Sequence, residues 1–119
     1  MTLGRWSRKH IYLYRHPVDM RRSIDGLAAT VEQSLELNAF EPALFVFINK
    51  QRDKVKCLVW ESNGFWLLYK RLVKQRFQWP KWFEHDTLIL SEAQLLQLLD
   101  GYDLNGMRPH KRLYFQSVM

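Results

Sequence analysis

The amino-acid sequence predicts an α+β fold: an antiparallel sheet of four to five strands with one long helix packed on it and a short C-terminal helix. Three observations lead to this prediction. Three apolar, β-branched and aromatic runs between residues 43 and 72 have the length of strands. An apolar stripe over residues 19–37 repeats at helical spacing. A capping box at Ser91 precedes a second apolar stripe, which stops at Gly101.

The first strand is predicted over residues 11–15, where Ile-Tyr-Leu-Tyr comes shortly before Pro17, which favours an extended residue ahead of it. Asp19 has the form of a helix N-cap, and the long helix is predicted to continue to about Leu37. Its apolar positions recur mostly at steps of three and four residues, namely Met20, Ile24, Leu27, Ala28, Val31 and Leu35.

The three apolar runs cover residues 44–48, 55–60 and 65–72, and they predict a three-strand meander at the centre of the sheet. Asn63-Gly64 is predicted as a two-residue turn of type I′, because Asn and Gly best tolerate the positive φ that both positions need. The cross-strand pairs expected from this turn are Trp60 with Leu67, Leu58 with Tyr69 and Lys56 with Arg71. The expected common core is Ile24, Leu27, Val31, Val55, Val59 and Leu68.

Several large aromatic residues follow the meander within residues 73–86. They indicate that this segment lies across the sheet, with Pro80 at its turn. Residues 87–90 are predicted to form a further short strand. Ser91 and Gln94 then form the capping box of the short C-terminal helix.

The length of 119 residues suits one hydrophobic core, and we expect a single domain over residues 1–119 with residues 1–10 and 104–119 loosely ordered. The single cysteine, Cys57, excludes an intramolecular disulfide and favours a reducing, cytoplasmic location. No stretch approaches the ~20 apolar residues that span a bilayer, and the N-terminus has no apolar run of signal-peptide length. We therefore expect no membrane partner.

Sequence motifs of catalysis are missing. No HExxH, CxxC, Walker-type loop or GxGxxG occurs, and the four histidines have no ligand-type spacing. Cys57 lies within an apolar run and is interpreted as a packed thiol. The sequence therefore predicts a protein that is not an enzyme, with no catalytic residue, no metal, no cofactor and no small-molecule substrate.

Positive charge is concentrated between residues 50 and 81. Nine Lys and Arg residues against Asp53 and Glu61 give this window a formal charge of +7, whereas the whole chain carries +6. Lys70 falls on the apolar face of its strand and is expected to extend outward. Cations beside aromatic residues predict DNA as a partner, bound through its phosphates. The predicted nucleic-acid-binding residues are Lys50, Arg52, Lys54, Lys56, Lys70, Arg71, Lys74, Arg76 and Lys81.

Five stretches of the sequence carry a resemblance to a known family. They are DMRRSIDGLAA (19–29), LFVFINKQRDKVK (44–56), LVWESNGFWLLYKRL (58–72), FQWP (77–80) and LLDGYD (98–103). In this order they resemble the accessory proteins named TnpB of the insertion sequence sixty-six family, also called second-open-reading-frame proteins. Val73 and Gln75 depart from the acid and the glycine usual in the family, and Glu61 replaces the commoner Asp. The resemblance implies a small protein encoded beside a separate transposase and needed for efficient transposition, with no established enzymatic activity.

Two functions remain open, and they can coexist. The first is a DNA-binding accessory factor, indicated by the concentrated charge. The second is an adaptor that docks on the cognate transposase, indicated by Trp60, Trp66, Trp79, Trp82 and Phe83, since exposed aromatic residues commonly anchor interfaces. The predicted partner-binding residues are Trp79, Trp82 and Phe83. A nuclease with dispersed carboxylates is the third alternative. A purely structural interpretation also accounts for the pattern, with the aromatic residues in the core and the lysines protecting an edge strand.

Overall fold

The structure, a computed structural model, describes residues 4–6, 9–81 and 83–104; the prediction for residues 105–119 lies outside this range. The α+β class, the meander, the last strand and the capped C-terminal helix are confirmed. No helix among the described residues is long and apolar enough to cross a membrane. A 3-10 helix (Gly4–Trp6) precedes β1 (His10–Tyr14), α1 (Ile24–Gln33), β2 (Ala43–Ile48), β3 (Lys54–Glu61), β4 (Gly64–Arg71), β5 (Thr87–Leu90) and α2 (Glu92–Leu99).

The five strands form one sheet in the order β4-β3-β2-β1-β5. β1 pairs with β2 in parallel, with His10 opposite Ala43 and Leu13 opposite Val46, and the other three pairs are antiparallel. The prediction of a purely antiparallel sheet is therefore wrong. The reason is that α1 carries the chain back to the end of the sheet where β1 began, and such a crossover makes the next strand parallel.

Both faces of the sheet are covered, and β2 in its centre is buried at all six positions. On one face, Leu27 and Val31 of α1 pack with Phe45 and Leu58. On the other, a second cluster contains Ile11, Leu13, Leu44, Val46, Ile48, Val55, Cys57, Val59, Phe77, Trp79, Phe83, Leu90, Leu95, Leu98 and Leu104. The expected common core of Ile24, Leu27, Val31, Val55, Val59 and Leu68 is wrong. The three helix residues lie on one face of the sheet, Val55 and Val59 point to the opposite face, and Leu68 is exposed.

The first helix is short. It covers Ile24–Gln33 with Ser23 as its N-cap, so the prediction of a long helix over residues 19–37 is wrong. At its start, the Lys56 ammonium nitrogen donates hydrogen bonds to the carbonyl oxygens of Met20, at 2.7 Å, and Arg22, at 2.8 Å. These carbonyls are thereby held towards the sheet instead of accepting helical hydrogen bonds. After the helix, Glu36 has a φ of 56°, which turns the chain out of the helical path.

The hairpin between β3 and β4 turns at Ser62 and Asn63, one residue earlier than predicted, and Ser62 has a φ of 56°. The expected pairs are therefore wrong by two residues. The observed pairs are Trp60 with Phe65, Leu58 with Leu67 and Lys56 with Tyr69. Because the shift is an even number of residues, every side chain stays on the face that the sequence pattern assigned to it.

The C-terminal layer contains α2 and the segment before β5. Ser91 and Gln94 form the predicted capping box, in which the Ser91 hydroxyl accepts from the Gln94 amide at 3.1 Å. At the other end of the helix, the Lys70 ammonium nitrogen donates to the Leu99 carbonyl oxygen at 2.6 Å. A cation at this position satisfies a helix-end carbonyl and interacts favourably with the helix dipole. Lys70 thus connects β4 to the C-terminal end of α2.

Replacing Lys56 should destabilise the fold. The change Lys56→Met keeps the apolar stem but leaves the Met20 and Arg22 carbonyls without their charged donor. We expect the free energy of unfolding, measured by urea denaturation, to fall by about 1.5 to 3 kcal/mol. Lys50→Met, at an exposed lysine, is the matched control and should change it by less than about 0.5 kcal/mol. Equal effects of the two changes would contradict this role.

The thiol of Cys57 should be unreactive in the folded protein. Cys57 lies on β3, between β2 and β4, and its side chain is buried in the cluster that contains Val55 and Val59. This burial raises the pKa of the thiol from 9.0 to about 12. Because the thiolate is the nucleophile, we expect a thiol reagent at pH 8 to modify this residue only after unfolding. The urea-unfolded protein provides the control for complete reaction. Rapid modification without denaturant would show that the core around β3 opens easily.

Candidate nucleic-acid interface

Asn49 holds the loop between β2 and β3 in place, and this residue is buried, with 5% of its surface exposed. Its side-chain oxygen accepts hydrogen bonds from the amides of Asp53, at 3.1 Å, and Lys54, at 3.0 Å. Its side-chain nitrogen donates to the Asp53 carboxylate at 2.7 Å. One buried amide therefore fixes both sides of the loop, and Lys50 and Arg52 lie on this fixed scaffold.

The segment that follows β4 is attached to the same loop at two points. The Leu72 amide donates to the Asp53 carbonyl oxygen at 2.8 Å, and the Phe77 amide donates to the Arg52 carbonyl oxygen at 2.7 Å. Arg52 itself has a φ of 63°, in the left-handed region that few residues other than glycine adopt. These bonds hold residues 72–77 beside the loop, so that the cations between the two attachments lie near those of the loop.

The nine predicted nucleic-acid-binding residues fall into two groups. Three are engaged within the protein: Lys56 and Lys70 hold backbone carbonyls, and Lys54 lies 3.6 Å from the Asp53 carboxylate. Among the described residues, the other six side chains have no hydrogen bond or ion pair; they are Lys50, Arg52, Arg71, Lys74, Arg76 and Lys81. Within the part of the chain that the structure describes, these six cations are available to bind an external anion.

The acid of the loop is engaged by its own neighbours within the loop. The hydrogen bond from Asn49 and the charge of Lys54 lower the pKa of the Asp53 carboxyl group below its ordinary value of 3.8. Asp53 is therefore ionised at neutral pH and is occupied by these two neighbours. The charges of Lys50 and Arg52 remain available beside it.

A cleft of about 290 Å³ opens beside the loop. Its titratable lining residues are all basic, namely Arg15, His16, Lys50, Arg52 and Lys81. The sequence prediction missed Arg15 and His16, because only the parallel pairing brings the end of β1 next to the end of β2. A second groove of about 670 Å³ has mixed charge: Asp19 binds Arg21 at 2.6 Å, and this hydrogen bonding lowers the pKa of Asp19 to about 2.

The predicted partner-binding aromatic residues that the structure describes are buried, in contrast to the exposed cations. Trp79 is 6% and Phe83 is 7% exposed, and both belong to the core cluster; Trp82 lies outside the described residues. The Trp79 indole nitrogen donates to the Tyr14 carbonyl oxygen at 3.1 Å, which ties the segment to β1. Trp79 and Phe83 therefore stabilise the layer that covers this face of the sheet.

Three aromatic rings in mutual contact lie at the other end of the sheet. Phe40 is 52% exposed, and its ring centroid lies 4.9 Å from that of Trp60 and 5.3 Å from that of Phe65. We call these three residues the aromatic cluster. It adjoins the start of β2 and the β3-β4 hairpin, whereas the basic loop follows the end of β2.

The basic loop region can bind phosphate by charge and by hydrogen bonding from Lys and Arg. Among the described residues, no group of His, Cys, Asp and Glu side chains is arranged to hold a metal ion. The buried Cys57 thiol is kept protonated at neutral pH, so it does not serve as a nucleophile. The chemistry that this end of the sheet supports is anion binding.

Comparison with known proteins gives a family. Residues 9–109 match the family described as IS66 Orf2 like protein. The chain is similar to the uncharacterised protein y4hO of Sinorhizobium fredii (strain NBRC 101917 / NGR234), with 38% identity over 85 residues, covering 71% of this chain and 73% of the relative. It is also similar to y4jC of the same strain, with 31% identity over 104 residues, covering 86% and 88%. No solved structure matches the chain. The protein therefore belongs to the IS66 Orf2-like family, the accessory TnpB proteins of IS66 transposons.

Proposed function

We propose that this transposon-associated accessory protein binds DNA, without catalysis, through the β2-β3 loop and the segment from Arg71 to Lys81. The observation that carries the proposal is the group of six cations without partners among the described residues, held around one loop. Cations that already neutralise acids add little to DNA affinity. Cations without such partners release counterions when they contact phosphates, and this release drives association.

The geometry favours binding to the DNA backbone over reading of bases. Five of the six cations lie on loops at one end of the sheet, the sixth, Arg71, is the last residue of β4 at the same end, and both α-helices pack on the faces of the sheet. No described helix therefore projects from this end as a recognition helix for the major groove. Contacts of Lys and Arg with phosphates position a protein on DNA but carry no sequence information directly. We expect affinity with little sequence preference.

DNA binding should depend steeply on salt. If all six cations contact phosphates, the logarithm of the association constant should fall with the logarithm of salt concentration at a slope of about −5. The measurement is fluorescence anisotropy with a labelled duplex between 50 and 200 mM NaCl. Changing Lys50→Ala, Arg52→Gly, Lys74→Ala and Arg76→Ala together should make the slope shallower by about 3 to 4. Gly at position 52 suits the left-handed backbone there.

The matched control is Gln75→Ala with Gln78→Ala, since both glutamines are exposed and lie in the same segment without charge. It should bind as the unchanged protein does, and all variants should keep the melting temperature within a few degrees. No binding by the unchanged protein at low salt would refute the proposal. Equal slopes for the four-residue variant and the unchanged protein would show that these cations do not contact DNA.

The aromatic cluster favours a second function, that of an adaptor that docks on the cognate transposase. Phe40 is about half exposed and contacts the partly buried rings of Trp60 and Phe65, so that the three rings form an apolar surface of the kind that anchors protein interfaces. This surface replaces Trp79 and Phe83 in the docking hypothesis, because both side chains are buried. It lies away from the basic loop, so that the two functions do not compete for one surface.

Loss of the Phe40 ring should weaken docking more than folding. We expect Phe40→Ala to reduce co-purification of the transposase at least tenfold, while removal of its two ring contacts costs about 1 to 2 kcal/mol of stability. Tyr102→Ala is the matched control, since Tyr102 is an exposed aromatic residue (64%) in the C-terminal part of the chain. Undiminished recovery with Phe40→Ala would argue against docking at this surface.

A further inference from the structure

The all-basic cleft is assembled from three separate parts of the chain. Arg15 follows β1, Lys50 and Arg52 lie in the β2-β3 loop, and Lys81 follows Trp79-Pro80. His16 completes the titratable lining, and no carboxylate is among the lining residues. Two acids lie close by without lining the cleft: Asp86 binds His16 at 2.8 Å, and Asp53 accepts from Asn49 at 2.7 Å. A concave surface lined by one sign of charge focuses the field on a ligand of the opposite sign.

One of these charges is already fixed in place, and the backbone of a second cation is held. The Arg15 guanidinium donates to the Glu84 carbonyl oxygen at 3.1 Å and lies 5.7 Å from the centre of the Phe83 ring. The Arg52 backbone is held by the Phe77 amide. A cation that is ordered before binding loses less conformational freedom when it contacts a ligand. The cleft therefore resembles a formed binding site more than a surface on which flexible lysines happen to meet.

The shape of the cleft restricts the kind of anion. The aromatic residue among its described lining residues is Trp79, which is only 6% exposed and whose indole nitrogen donates to the Tyr14 carbonyl oxygen, so that this ring offers no open face for a base to stack on. Its volume of about 290 Å³ lies at the lower limit of ligand pockets, which begin near 300 Å³. This space suits a phosphate group with part of its sugar. It does not suit a stacked nucleobase.

We infer that this cleft holds one backbone phosphate of the bound DNA, contacted by Arg15, Arg52 and Lys81. The inference rests on the proposed DNA binding and deepens it: the cleft fixes one point of the backbone, while Arg71, Lys74 and Arg76 contact the strand outside it. Because no base enters the cleft, this contact adds affinity and position without sequence preference.

Inorganic pyrophosphate is the probe that separates the cleft from the general basic surface. We expect a titration of the ¹⁵N-labelled full chain, with NaCl matching the ionic strength, to give saturable NMR shifts at the Trp79 indole and the amides of Lys50, Arg52 and Lys81. Arg52→Gly and Lys81→Ala should each weaken pyrophosphate binding on the order of tenfold. Lys74→Ala with Arg76→Ala removes two charges outside the cleft and should change it less than about twofold. Added duplex DNA should displace pyrophosphate.

Three outcomes overturn the inference while the proposed function stands, because the salt-dependent binding of duplex DNA is measured separately. The first is the absence of saturable pyrophosphate shifts. The second is equal loss of pyrophosphate binding in the cleft variants and in Lys74→Ala with Arg76→Ala, which would mean a diffuse basic surface. The third is bound pyrophosphate that duplex DNA does not displace. This result would mean that the cleft binds small anions but does not contact the bound DNA.

Discussion

Burial of β2 on both faces is the constraint on which the remaining structure depends. Its six side chains are each 2% exposed or less, so each face of the sheet needs its own covering layer. The chain before β2 supplies α1 for one face, and the chain after β4 supplies Phe77, Trp79 and Phe83 together with α2 for the other. A helix inserted between β1 and β2 then fixes their parallel pairing. The positions of the loops, and of the cations they carry, follow from this arrangement.

Two lysines of the charged strands join these layers to the sheet. Lys56 holds the backbone that leads into α1, and Lys70 holds the last turn of α2. Their long stems cross the sheet surface, and their ammonium groups satisfy carbonyl oxygens that would otherwise lack partners. The sequence alone groups Lys56 and Lys70 with the exposed cations, because it shows their charge but not their partners. The structure separates them from the exposed cations, because Lys56 already donates to two backbone carbonyls and Lys70 to one, which reduces their capacity to bind a phosphate.

The sequence predicted those features of the fold that depend on residues close together in the chain. The apolar runs of the meander, the capping box at Ser91 and the stop at Gly101 depend on neighbouring residues, and all are found in the structure. The start of α1 and the hairpin register depend on Lys56 and on the unusual φ of Ser62, which no local pattern shows. The parallel pairing had a signal in the sequence. Ala43–Ile48 is an unbroken apolar run, typical of a strand buried on both faces, and a helix separates it from the preceding strand.

The missed pairing also explains which part of the candidate site was missed. In an antiparallel arrangement Arg15 and His16 would lie at the end of the sheet opposite the β2-β3 loop, whereas parallel strands end together and bring both residues into the cleft with Lys50. The same geometry separates the cleft from the aromatic cluster by the length of β2, about 20 Å for six residues. Since the buried sheet between them is rigid, DNA bound at one end and a protein bound at the other would be held at a fixed distance. On the two proposals made above, the fold itself sets the spacing between DNA and transposase.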